Sequence, residues 1–185
     1  MCGASARFAG STAEQTLRLE QRLSKAKAIH SVGSNQKNFH IFQKIYNMDI
    51  DTINLLGGSK VLGKFDNLTT LAKKGLPKQS LIFFIKQSRL DEKLIFSYLD
   101  VTKRTLDNYQ PTERMRLYIS DRLIHLAELF AKGKELFNGV DGFTEWLHLP
   151  SIDLEGEKPI NLIYTRKGVE DLLTVLGRLE HGILA

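Results

Sequence analysis

The closing stretch "LLTVLGRLEHGILA" (172–185) limits the possible folds more than any other part of the sequence. Apolar side chains recur at Val169, Leu172, Leu173, Leu176 and Leu179, the spacing of one face of an α-helix, and Gly182 is followed by Ile183 and Leu184. Such a stripe has to be buried, so the fold must supply a partner for it at the extreme terminus, where most domains fray. The same helical spacing governs most of the chain, and neither period-two alternation nor an internal repeat breaks it. The expectation is an all-α protein.

Turn signals divide the helices. Residues 1–11 are small and polar and are expected to be disordered, and "STAEQTLRLEQRLSKAKAIH" (11–30) opens with Thr12 and Gln15 at capping-box spacing and continues in strong helix formers. A loop at 31–38 precedes the apolar "FHIFQKIYNM" (39–48), and Gly57, Gly58, Gly63, Gly75 and Pro77 break 49–77 into short helices. Further helices are predicted at 79–90, 91–99 and 101–110, over 112–137 as one long helix or two stacked ones despite Gly133, at "VDGFTEWLHL" (140–149), and after Thr165 as N-cap. Pro150 and Pro159 bound a loop. The division this suggests is an N-terminal extension (1–38), a helical domain (39–135) and a small helical domain (136–185).

The formal net charge of +5 conceals an asymmetry. Residues 1–35, 36–78 and 79–135 carry +3, +4 and +2, whereas 136–185 set four basic residues against eight acidic ones. Basic character over the first three quarters suits a polyanion such as DNA, and the acidic last quarter suits a basic protein partner, although solvated faces alone give the same counts. With 185 residues, 42% of them hydrophobic, the chain can bury a sizeable core. It has no apolar run long enough to cross a bilayer and no secretory profile at its start, so a cytoplasmic location is expected. Cys2 is the only cysteine, which excludes an intrachain disulfide and disfavours a metal cluster.

Enzymatic constellations are missing. "GSKVLGKF" (58–65) has the spacing of a phosphate-binding loop but places Phe65 where the magnesium-ligating hydroxyl belongs, and "LLGG" reads better as a helix ending on glycine. His30, His40, His125, His148 and His181 show no metal-ligand spacing, and no serine sits in a nucleophile elbow. Asp91–Glu92 and Glu170–Asp171 fall where helix starts are expected, favouring the macrodipole. The expectation is a non-enzyme with no cofactor and no metal.

Residues 91–110 carry more information. A helix-turn-helix needs two short helices, a tight elbow and a second helix whose outer face carries hydrogen-bond donors. In "DEKLIFSYLDVTKRTLDNYQ", Leu94, Ile95 and Tyr98 would pack inward, 99–101 would turn, and Leu106 would anchor the second helix. Thr102, Lys103, Thr105 and Asn108 would then face outward as base-reading candidates with Arg104 beside a phosphate, since Asn suits adenine and Lys guanine. A plain helical hairpin within a bundle fits the same spacing.

Six segments together, "LLGGSKVLG", "GLPKQSL", "VTKRTL", "SDRLIHLAELFAKGKELF", "WLHLPSIDLEGEKPINLI" and "LGRLEHGIL", stand in the order and approximate spacing of the Xre/MbcA/ParS-like antitoxins, which the chain resembles over about residues 55–184. The resemblance implies a Cro/CI-like helix-turn-helix bundle that dimerises and represses its own operon by binding operator DNA. It also implies a C-terminal domain that binds a RES-domain, NAD-consuming toxin and shields its active site. On the family pattern, Arg104, Thr105 and Leu106 open the recognition helix, whereas Asp107 and Asn108 stand where relatives are often basic, which leaves DNA binding weaker, dependent on a dimer or the toxin complex, or resting on Arg114 and Arg116. The toxin-facing group would be Arg178, Glu180, His181 and Gly182, with Trp146 in the small domain's core. The alternatives are a helix-turn-helix regulator without a toxin partner and a helical scaffold.

Overall fold

The structure is a computed structural model that describes residues 50–63 and 67–182. Helical residues 50–55 lead into α1 (Gly58–Leu62), α2 (Leu68–Lys74), α3 (Lys78–Ser88), α4 (Glu92–Leu99), α5 (Lys103–Asp107), α6 (Leu117–Leu136) and α7 (Val140–His148). Two 3-10 turns follow, η1 (Ile152–Leu154) and η2 (Pro159–Tyr164), and α8 (Arg166–Glu180) closes the order. Among the described residues there is no strand, only an isolated bridge between Pro77 and Arg114, so the chain is all-α. No helix among them is long and apolar enough to cross a membrane. The expected helix at 11–30, the loop at 31–38, the apolar run at 39–48, Cys2, Phe65, Ile183 and Leu184 lie outside the described residues.

The core is organised around α6. Ile119, Leu123, Leu126, Ala127, Leu129, Phe130 and Ala131 are buried on more than one side of this helix, the pattern of an element enclosed by neighbours rather than lying on a surface. Around it pack α2, α3, α4, α7 and α8. Gly133 permits one of these contacts: a Cβ there would stand 2.3 Å from the Phe143 ring, so only glycine lets α7 approach this closely. Phe143 in turn meets Phe130 edge to face at 5.0 Å, and Phe137 and Trp146 stack beside it. Gly133 therefore leaves α6 continuous, and Trp146 belongs to the aromatic core of the C-terminal part.

The long helix begins later than its apolar period suggests. Residues 111–116 form a strap against 75–79: Met115 N–H donates to Leu76 O at 2.8 Å, Lys78 N–H to Glu113 O at 3.0 Å and Gln79 N–H to Pro111 O at 2.8 Å. Ser120, fully buried, accepts the Leu76 N–H on its Oγ at 2.8 Å. Backbone groups committed to that pairing cannot also close helical rings, so α6 starts at Leu117 instead of 112. Gly58–Leu62, within the phosphate-loop-like spacing, is helical and so offers no open cradle of convergent N–H groups.

The terminal helix finds its partner in α6 and η2. Val169, Leu172, Val175 and Leu176 are buried and Leu173 and Leu179 half-buried, each full burial contributing about 1.5–3 kcal/mol. Thr165 is the N-cap, its Oγ1 accepting the Gly168 N–H at 2.9 Å. Glu170 and Asp171 fall in the second turn rather than at the helix start; there they pair with Arg166 and Lys167 one turn earlier. At Gly168 a Cβ would lie 2.0 Å from Leu162 O, so glycine lets η2 dock against the helix it feeds. The segment between Pro150 and Pro159, expected as a loop, contains η1, and Pro159 itself starts η2 as its first residue.

Candidate functional site

Two surfaces carry the residues singled out by the sequence. The first is the α4–α5 pair. Asp91 caps α4 by accepting the Lys93 N–H at 2.9 Å, and the helix stops where Asp100 turns left-handed at φ 55°, with Val101 N–H returning to Phe96 O. Thr102 then caps α5, its Oγ1 taking the Thr105 N–H at 3.1 Å and sharing a hydrogen bond with Thr105 Oγ1 at 2.9 Å. Leu94, Ile95, Tyr98 and Leu106 are buried as the elbow requires. Thr102, Lys103, Arg104, Thr105 and Asn108 are all exposed, Asn108 as the C-cap of a helix only five residues long. The two threonine hydroxyls are therefore spent in part on holding the turn.

This pair is fixed to the core from behind. Arg122 donates to the Tyr98 carbonyl at 2.7 Å, and the Tyr98 hydroxyl shares a 3.0 Å hydrogen bond with His125 Nδ1. Burial pushes the phenol well above its ordinary value, and burial together with the Arg166 charge holds the imidazole below its own, so the contact joins two neutral groups at neutral pH. Lys78 Nζ donates to Tyr109 O at 3.0 Å, tying the end of α5 to the start of α3. Arg114 is engaged with the Gly75 carbonyl, whereas Arg116 stands exposed at the N-cap of α6.

The second surface is the end of α8. Arg178, His181 and Gly182 are exposed, and Gly182 adopts φ 65° beyond the C-cap. Glu180 differs: its side chain, 14% exposed, turns inward to Lys132 of α6, 20% exposed, at 3.6 Å. The Lys132 stem reaches this pair across Gly177, where a Cβ would lie 3.3 Å from Nζ. Glu180 therefore locks the last turn of α8 to α6, while Arg178 and His181 are the groups that a partner can reach. The two surfaces lie on different elements and share no residue.

One feature of the C-terminal part was not anticipated from the sequence. Leu149, Ile152 and Tyr164 are exposed large apolar residues at 54, 89 and 55%. The available signal was an isoleucine inside an acidic, proline-bounded segment, a position where loops usually carry small polar residues. Among the described residues no three His, Cys, Asp or Glu side chains gather as a metal-binding group; His148 Nδ1 lies 2.8 Å from the Thr144 carbonyl of its own helix.

Residues 132–182, which span the end of α6, α7, both 3-10 turns and α8, match the family described as the antitoxin Xre/MbcA/ParS C-terminal toxin-binding domain. A curated relative, the Prs ADP-ribosylating antitoxin of Sphingobium sp. (strain YBL2), is 26% identical over 126 residues, covering 61% of this chain and 77% of the relative. The match falls on the part of the molecule that holds the aromatic core, the Gly133 and Gly168 contacts and the terminal helix, so that residues 132–182 are similar to the C-terminal toxin-binding domain of Xre/MbcA/ParS antitoxins.

Proposed function

We propose that this antitoxin acts by binding rather than catalysis, sterically blocking a RES-domain toxin that consumes NAD and repressing its own operon in the cytoplasm. The observation that carries the reading is the match of residues 132–182 to a toxin-binding domain, on the part of the chain that is net acidic. A cleft that binds the NAD pyrophosphate is electropositive, and an acidic cover complements it. The relative's printed name adds ADP-ribosylation of Prs, and ADP-ribosyl transfer draws on NAD as donor. In this account residues 136–185 are the toxin-binding domain. Arg178, His181 and Gly182 face the toxin, and Glu180 orients them through Lys132.

Residues 39–135 form the DNA-binding and dimerisation domain in the same account. Thr102, Lys103, Arg104, Thr105 and Asn108 face operator DNA, with Arg116 as a further phosphate contact, and a homodimer presents two copies of α5 to successive major grooves. Asp107 beside Asn108 removes positive charge from that face, so affinity for DNA depends on the dimer or the toxin complex.

Co-expression with the RES-domain protein of the same operon tests the reading, using the full chain, residues 1–176 and Arg178→Glu, with growth, cellular NAD and complex recovery measured. Arg178 is the better probe than Glu180, because reversing Glu180 would set two cations together at Lys132. The full chain is expected to bind and restore NAD, and the truncation to lose protection while remaining helical by circular dichroism. Operator binding with no effect on any toxin would favour a regulator that lacks a toxin partner.

A further inference from the structure

Within the toxin-binding domain the exposed large apolar side chains among the described residues are Leu149, Ile152 and Tyr164, and none lies on α8 or beyond it. At the described end of α8, Arg178, His181 and Gly182 offer no large apolar side chain. A protein partner needs a desolvated apolar anchor at the centre of its contact, and Ile152 offers one. It is 89% exposed, yet the chain on both sides is held firmly: Ser151 and Pro159 are buried and Leu154 packs on the core.

Backbone hydrogen bonds close the segment on itself. Gly156 N–H donates to Ser151 O at 2.9 Å, Ser151 N–H to Glu157 O at 3.1 Å, Leu154 N–H to Ser151 O at 3.2 Å and Glu155 N–H to Ile152 O at 3.1 Å. Ile152 therefore projects from a pre-ordered turn, and docking it costs little further conformational entropy. Within the turn the charges are mainly acidic, Asp153, Glu155 and Glu157 against Lys158. His148, one residue before Leu149 and four before Ile152, lines a cleft of about 350 Å³ whose walls include Tyr164, Ile160, Arg89 and, on α4, Lys93 and Leu94.

The geometry points to the Leu149–Ile152–Tyr164 surface as the affinity anchor for the toxin, an apolar knob on a mainly acidic turn that seats in an apolar pocket beside a basic surface of the RES-domain partner. This rests on the reading given above. It separates two tasks within one domain: the η1 turn supplies affinity, and the end of α8 supplies occlusion.

The test uses the full chain and the purified RES-domain protein of the same operon. Binding is measured by calorimetry and NAD consumption by the toxin at saturating antitoxin, for the wild type, Ile152→Glu, Ile152→Ala, Tyr164→Ser and, as a control at another exposed leucine, Leu117→Glu. Ile152→Glu is expected to raise Kd at least tenfold and Ile152→Ala severalfold, with Tyr164→Ser also weakening binding. Full inhibition should persist for all three at saturation, and Leu117→Glu should match the wild type. Because Ile152 makes little contact with the fold, circular dichroism and Tm should not change. If the wild type binds and Ile152→Glu binds within twofold of it, the anchor lies elsewhere and the inference falls while the partner reading stands. If Ile152→Glu instead changes the sedimentation of the antitoxin alone, the knob joins two copies of this chain and the inference also falls. If the wild type does not bind the RES-domain protein, the partner reading fails and takes the inference with it.

Discussion

The α4–α5 pair and the α7–α8 region use their helices in opposite ways. The second helix of the pair has five residues and one buried side chain, Leu106, with local caps supplying the rest of its order. By contrast, α8 has 15 residues, a continuous buried stripe and a glycine that lets η2 press against its first turn. A helix held mainly by caps offers most of its surface to a partner but adds little to global stability. A helix held by a stripe supports the core, and only its ends and adjoining turns remain free for recognition. The molecule should therefore tolerate change at α5 far better than in the α6–α7–α8 core.

The strongest way to break that contrast is Phe143→Ala. The ring sits between Phe130, Phe137 and Trp146, and its removal should lower stability by about 3–5 kcal/mol in urea unfolding, with toxin binding lost alongside the fold. A comparable loss from an exposed position on α5 would contradict the distinction. Gly168→Ala comes next: the new methyl would meet the Leu162 carbonyl, a backbone atom that cannot swing aside, and a cost of about 1–3 kcal/mol is expected. The lower Tm should come with greater protease sensitivity at 159–165, since η2 loses its seat.

Thr102→Ala sharpens the comparison from the other side. It removes the cap of α5 and the bond to Thr105, and cap losses of this kind cost about 0.5–2 kcal/mol. Most of that cost should appear as local fraying, seen as faster amide exchange over 103–107, with only a small change in global Tm. On the proposed DNA-binding reading operator affinity falls more than stability does, and Thr102→Ser should restore most of both.

Local chemistry explains why much of this fold is legible in the sequence. Thr102, Thr165 and Asp91 announce their helices because a cap acts within three residues of itself, and the apolar stripe of α8 is readable because burial follows its period. What escapes the sequence is set by distant partners. The late start of α6 depends on backbone pairing between 111–116 and 75–79, and the inward turn of Glu180 on a lysine in another helix. Gly133 reads as a weak point in a helix until the Phe143 ring is seen lying over it. The exposure of Arg178 and His181 can be guessed from their polarity, but Ile152 could be placed in solvent only once the closed turn around it was visible.

The smallest expected effect is a pH dependence, and it bears on how firmly α4 is held to α6. His125 has a folded pKa below its ordinary value, first because burial disfavours the charged ring and then because Arg166 repels it; Glu170 and Asp121 act in the opposite sense. The unfolded chain therefore takes up a proton at higher pH than the folded one does. Stability from this group is complete above the unfolded value of about 6.5 and is lost as pH falls from there through the folded pKa. Carboxylates elsewhere begin to titrate only at more acidic values, so Tm between about pH 7.5 and 5.5 reports on the histidines, and comparison with His125→Gln singles out this one. A gentle decline toward pH 5.5 is expected for the wild type, and His125→Gln should flatten it. Tyr98→Phe should keep the decline while lowering Tm throughout, because it deletes the hydrogen bond but leaves the ring to be protonated on unfolding. An equal slope in His125→Gln would mean that another group controls the acid limb, while an unchanged Tm in Tyr98→Phe would mean that the Tyr98–His125 contact adds nothing to the hold of α4 on the central helix.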